Sequence, residues 1–274
     1  MGGFARRTSY WKAFARKYPG RPLVRLDGGA LYSSGGADSQ IINRWMLLGT
    51  YLSKLDAINL DPWDLSAWLE LGDRATSGKA VRKLLDLPIV SANVVPKDPN
   101  FPAVRRSIIK EVVLGPPARE KYRIGISGIV HDPENRISPA EFEVQDPAAA
   151  AREVIAELLP KTDFRILMTN MDLGSALSLA IAVPGINLIV VTHNYESLSE
   201  PQQIDNTLVV IPINEGRMLS EVRLAVTAGS DNVQAEARFV PLDRTVPDDP
   251  GMADLVRRAR DAVAAAERGR QAAR

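Results

Sequence analysis

Side chains capable of acid–base or metal-binding chemistry fall at the ends of apolar runs in this 274-residue chain. Asp27 follows PLVRL and precedes two glycines. Asp61 and Asp64 sit in NLDPWD, Asn93 in SANV, Asn170 and Asp172 in TNMDLG, and His193, Asn194 and Tyr195 in THNYES. Oxygen ligands of this kind suit a hard divalent cation. A histidine among them could ligate a metal or act as general base. The same residues have structural uses. Asp27-Gly28-Gly29 also reads as a turn. Asp61 reads as a helix N-cap, with Pro62 at the first helical position and Asp64 placed favourably in the first turn. Asn93 is ambiguous, and Asn170 and Asp172 could coordinate or cap. Of the two histidines, His193 is the more site-like; His131, in HDPENR, reads as exposed.

Other chemistries find no support. The chain has no cysteine, which removes disulfides, thiolate metal sites and cysteine nucleophiles together. Two histidines are few for a zinc or binuclear centre. GISGIV (125–130) lacks the spacing of a dinucleotide fingerprint, and neither a phosphate-binding P-loop nor a nucleophile elbow occurs. A net charge of +1 gives no field that would attract a nucleic-acid polymer. Basic residues cluster at both ends, from Arg6 to Arg21 and from Arg257 to Arg274. They read as solvated helix faces or, alternatively, as docking faces within a larger complex. No run approaches 18 apolar residues, so no membrane span is expected, and no signal peptide precedes Gly2.

The elements that must position these residues alternate. Helices are expected at 4–18, 37–54, from Asp61-Pro62 onward, and at 76–86, 147–159, 173–183 and 251–270. Strands are expected at 22–26, 56–60, 88–95, 107–114, 122–130, 164–170 and 186–191. Three further strands, 207–213, 218–227 and 233–242, read as antiparallel. Their tight turns fall at Asn214-Glu215-Gly216 and Gly229-Ser230-Asp231. Strands alternating with helices imply an α/β domain with parallel strands. The late run implies a mixed sheet or a second sheet packed on the first. Ligands on such folds sit at the carboxyl ends of strands, where the polar loops fall.

An ordered series of stretches then carries a resemblance: GGFARR (2–7), PLVRLDGGALY (22–32), LDAINLDPWDL (55–65), PIVSANV (88–94), YRIGISGIV (122–130), INLIVVTHNYES (186–197) and LVVIPINEGRMLSEVRL (208–224). The chain resembles the N-terminal metallophosphoesterase (calcineurin-like) domain of the bacterial 5′-nucleotidase and UDP-sugar hydrolase family, from Gly2 to about Arg257. The resemblance implies one α/β domain over 1–274, with two packed mixed β-sheets flanked by helices in four α/β/β/α layers. It also implies a periplasmic or extracellular location. The family's five short motifs hold two metal ions that activate water and clamp phosphoryl oxygens. Here they are degenerate. The Asp-x-His motif, on a central strand of the family fold, would lie upstream of Gly2. The bridging aspartate falls on Ala30. The Gly-Asn-His-Glu motif falls on Asp61-Pro62-Trp63-Asp64, and the fourth motif falls on Asn170 or Asp172. The Gly-His-x-His motif falls on Thr192-His193-Asn194-Tyr195, keeping one histidine.

Two functions follow from that pattern. The first is a noncatalytic binding or scaffold module without a cofactor. Its cleft is lined by Asp27, Tyr32, Asp61, Trp63, Asp64, Asn93, Asn170, Asp172, His193, Asn194 and Tyr195, and it takes a small ligand or a protein partner. The alternative is a phosphoesterase or 5′-nucleotidase-like hydrolase with a rewired site. There Asp27, Asp61, Asp172 and His193 hold one Mn, Mg or Zn ion, and His193 and Asp64 are the catalytic candidates.

Overall fold

Aspartate sets the start of four helices. Asp61, Asp146, Asp172 and Asp249 each accept the backbone N–H three residues on, at 2.7, 2.8, 2.9 and 3.1 Å. Three of these aspartates are followed by proline, whose fixed φ suits the first turn and whose missing N–H costs nothing there. The computed structural model describes residues 3–33, 35–72, 78–115, 119–192, 200–212, 216–226 and 233–273. In chain order the elements are α1 (Phe4–Lys17), β1 (Leu26–Asp27), α2 (Ser39–Ser53), β2 (Ala57–Ile58), α3 (Pro62–Gly72), α4 (Lys79–Leu84), β3 (Val94–Pro96), β4 (Ser107–Val113), β5 (Lys121–Ile129), β6 (Phe142–Val144), α5 (Pro147–Leu158), β7 (Phe164–Thr169), α6 (Leu173–Ala182), β8 (Leu188–Val191), β9 (Gln202–Ile204), β10 (Thr207–Val210), β11 (Met218–Val226), β12 (Val233–Pro241) and α7 (Pro250–Ala272).

Six strands form the main sheet in the order β4-β5-β7-β8-β10-β9. The four inner strands are parallel and the two edges antiparallel. Alternation sorts the side chains. On β7, Leu167 faces Val154, Ile155 and Leu158 of α5, while Phe164, Ile166 and Met168 face the other way. The second layer contains the parallel pair β1–β2, extended by bridges at Ile58–Ile89 and Val90–Arg105. The antiparallel hairpin β11–β12 packs Val222, Leu224 and Ala235 on the same face of the main sheet. Beyond β1–β2, Ile58 and Ile89 join Leu47 of α2 and Leu65, Trp68 and Leu71 of α3 in a third core. The architecture is therefore four-layered, α2–α3, β1–β2, the six-stranded sheet, then α5–α6, as expected.

Three details depart from the sequence reading. The strand at 207–213 is not antiparallel to its successors. All four residues of β10 are buried, and it runs parallel to β8 inside the main sheet, where both faces are covered. Its antiparallel partner is the short β9, which the sequence reading omits. The strand at 88–95 divides: Ile89 and Val90 bridge the second layer, and β3 pairs with β6. The turn at 214–215, the turn at 229–231 and residues 193–199 lie outside the described residues.

The two sheets approach closely at Gly128. A Cβ there would stand 2.2 Å from Asn59 Oδ1 and 2.6 Å from the Val90 carbonyl oxygen, whose layer is tied to β5 by Ala92 N–H donating to the Gly128 carbonyl at 2.7 Å. One methyl group must push the layers apart. Gly128→Ala is expected to destabilise the fold by about 2 kcal/mol, read as a lowered urea midpoint with unchanged slope.

Candidate functional site

The parallel strands deliver their polar loops to one end of the molecule. There the second layer meets the main sheet through three contacts. Thr192 Oγ1 donates to the Gly28 carbonyl at 2.8 Å, Asn59 Nδ2 donates to the Ile129 carbonyl at 3.3 Å, and Gly28 has no room for a side chain against Thr192. Around this junction the structure brings together most of the residues singled out above.

Asp64 is wholly buried in the first turn of α3. Its Oδ1 accepts the N–H groups of Leu31 and Tyr32, each at 2.8 Å. Its Oδ2 accepts those of Ala30 at 2.7 Å and Asp61 at 3.2 Å. Asp61 answers by accepting the Asp64 N–H, so the two acids form a reciprocal cap. The loop wraps the carboxylate by adopting left-handed backbone at Gly29 (φ 101°) and Ala30 (φ 57°). Burial first, and the Asp61 charge second, push the Asp64 pKa well above the ordinary carboxylate value; the N–H donors oppose them.

Asp27 is paired with Arg7, whose Nη1 lies 2.5 Å from Oδ2. Trp63 is half-buried, with the Arg136 guanidinium 4.0 Å above its ring. Tyr32 is buried, its ring edge-on to Trp68 with centroids 6.1 Å apart. Burial raises its pKa above the usual phenol value.

Two asparagines clamp the end of β5 in the same way. Asn93 accepts the Val130 N–H at 2.9 Å and donates to the Val130 carbonyl at 2.7 Å. Asn170 does both with His131, each at 2.7 Å. These side chains continue the sheet ladder past its last strand residue. Asp172 is exposed and caps α6. Hydrogen bonds from Ser175 hold its pKa below the ordinary value. His193, Asn194 and Tyr195 lie outside the described residues, directly after Thr192. Sequence reasoning missed Arg7, Asn59 and Thr192. Asn59 is buried, and among the described residues its Oδ1 accepts no hydrogen bond. Its place at the close of an apolar run was the available signal.

Among the described residues, the donor set does not fit the binuclear centre that the fold implies. Asp27, Asp61, Asp64 and Asp172 are each committed to an arginine or to backbone N–H groups. Among the described residues no cluster of three His, Asp or Glu side chains is disposed to hold a metal ion.

No protein-family profile matches the sequence, and no curated protein matches it. Solved structures do match. The fold is that of the calcineurin-like metallophosphoesterases, as found in the N-terminal domains of 5′-nucleotidases. A 5′-nucleotidase precursor of Thermus thermophilus superposes with a TM-score of 0.73 at 19% identity, over 96% of this chain and 54% of that one. The sulfate thiohydrolase SoxB of Thermus thermophilus gives 0.71 at 18%, over 94% and 46%. The calcineurin-like phosphoesterase YfkN of Bacillus subtilis gives 0.71 at 16%, over 95% and 89%. The chain thus spans about half the length of the first two.

Asp64→Ala strands four backbone N–H groups and is expected to cost about 3–5 kcal/mol or prevent folding. Asp64→Asn, with one acceptor oxygen left, should fall between the alanine variant and wild type. Urea unfolding of the three proteins checks the order. Unchanged stability in the alanine variant would refute the clamp.

Proposed function

We propose that this chain is a noncatalytic binding or scaffold module built on a metallophosphoesterase fold. One observation supports the reading above others: the acids and amides at the strand ends are engaged in holding loops. Asp64 serves the backbone of residues 30–32 and Asp61, Asn93 serves Val130, Asn170 serves His131, and Asp27 serves Arg7. Two-metal phosphoester hydrolysis needs ligands that bridge and clamp the ions. At the corresponding positions Ala30 and Pro62 offer no side-chain donor, and the Trp63 ring lies against Arg136. The half-buried aromatic ring of Trp63 suits stacking with a small ligand or a protein loop in the strand-end cleft. A periplasmic or extracellular setting belongs to the same proposal and follows from the family resemblance. Among the described residues no helix is long and apolar enough to cross a membrane.

Elemental analysis tests the proposal. After incubation with Mn²⁺, Zn²⁺ and Mg²⁺ and removal of excess, the protein should retain less than about a tenth of an equivalent. Hydrolysis of nucleotides and of p-nitrophenyl phosphate should stay at background. One tightly bound equivalent that disappears in His193→Ala, with turnover, would replace this reading by the single-metal hydrolase.

A further inference from the structure

The hairpin β11–β12 ends the second layer on a strand whose outer edge is open. β12 pairs with β11 without a bulge, from Val233 against Val226 to Pro241 against Met218. Among the described residues no strand pairs with its other side. β11 lies between this edge and the space it shares with β1. The register fixes which backbone groups the edge presents. Next to the last pair, Leu242 N–H donates to the Arg217 carbonyl at 2.8 Å. In an antiparallel ladder the bonded positions alternate. The even-numbered residues of β12 therefore bond to β11, and Val233, Ala235, Ala237 and Phe239 turn their N–H and C=O groups outward. Pro241 falls in the outward set, where its missing N–H takes nothing from the ladder.

The side chains divide by the same alternation. Gln234, Glu236 and Arg238 are exposed. Val233, Ala235 and Ala237 pack toward the main sheet yet stay partly exposed, so the edge is not covered. Arg238 is anchored: its Nε and Nη2 each bond to the Glu221 carboxylate at 3.1 Å. Glu236 stands opposite Arg223, which gives its Nε to Glu221 instead, at 2.6 Å. Glu236 makes no ion pair among the described residues.

An open edge is a template for another strand, and charges on it ordinarily deter one. Here the charges favour one partner. A two-fold axis perpendicular to the sheet sets a second β12 alongside in antiparallel sense, with residues of the same face opposed. Centred on Glu236, the axis opposes that acid to its own copy. Centred on Arg238, it opposes two guanidinium groups. Centred on Ala235, it sets Glu236 against Gln234. Centred on Ala237, it sets Glu236 against Arg238 of the other copy, twice. Those are non-hydrogen-bonded positions, where opposed side chains come closest. In the same register the outward backbone groups of Ala237 meet their own copies and those of Ala235 meet Phe239, so a small side chain stands against a large one.

We propose that the open edge of β12 is where this chain pairs with a second copy of itself, with Ala237 on the axis. The two hairpins then form one continuous sheet across the dimer. Backbone bonds supply the affinity, and the reciprocal Glu236–Arg238 pairs select the register and the partner. The proposal draws on neither the strand-end cleft nor any ligand there, so it applies to a binding module and to a hydrolase alike.

Sedimentation equilibrium of the intact 274-residue chain tests it. One strand edge buries less than a standard interface, so the dimer should have a Kd of about 1–100 μM. Ala237→Pro removes an N–H that β11 does not use; it should leave the monomer folded and raise the Kd at least about tenfold. Glu236→Lys sets cation against cation, Arg238→Glu sets anion against anion, and each should weaken the dimer about tenfold. Mixed together, these two variants regain both acid–base pairs, and their heterodimer should be about as tight as the wild-type dimer. Arg238→Glu also gives up Glu221; if it fails to fold, Ala237→Pro and hydrogen exchange decide. Raising the wild-type concentration through the Kd should slow exchange of the Ala235, Ala237 and Phe239 amides at least about tenfold. A chain still monomeric at about 1 mM, a dimer indifferent to Ala237→Pro, or protection confined to other amides would overturn the proposal. So would a chain that stays monomeric and takes an unrelated peptide strand on β12.

Discussion

A buried carboxylate that accepts four N–H groups dictates the conformation of everything that donates to it. Asp64 collects Ala30, Leu31, Tyr32 and Asp61, and those donors come from two separate stretches of chain. To reach it, the loop after β1 must turn through left-handed backbone at Gly29 and Ala30. That turn sets Gly28 against Thr192, and this contact ties the second layer to the end of β8. The start of α3, the loop over it and the junction of the two sheets thus share one electrostatic anchor.

The two asparagines at the end of β5 repeat the principle in neutral form. A primary amide can donate and accept side by side, so it can pair with a backbone residue as another strand would. Asn93 and Asn170 do this with Val130 and His131. Residue types that could have formed a reactive cluster instead extend the hydrogen-bond ladder into the loops. A polar group bonded on both sides by its own backbone has little capacity left for a ligand.

The two layers are built differently. The main sheet has a continuous ladder of six strands, with antiparallel strands at both margins. Among the described residues, the opposing layer is two separate strand pairs, β1–β2 and β11–β12, over a shared floor. Helix α1 lies over both pairs, and its Arg7 reaches Asp27 at the end of β1.

Local chemistry made part of this legible in the sequence. The Asp61-Pro62 pair announced α3, because capping involves residues only three apart. Alternating strand and helix periods announced the α/β class, and the ordered stretches from DGGALY to THNYES pointed to the four-layer fold. The parallel placement of β10 was not legible, since a short apolar strand carries no mark of its partner's direction. Nor was the division of residues 88–95, which depends on what each half meets. At the site, spacing favoured Asp61 as a cap and Asp64 as a first-turn residue, with metal ligation as the alternative. Deciding between those uses required donors more than thirty residues away at Ala30, Leu31 and Tyr32. The sequence by itself determined where helices begin and which polar residues stand at strand ends, because those are short-range matters. Only the tertiary structure decided what those residues hold, because hydrogen-bond partners are supplied by segments distant in the chain.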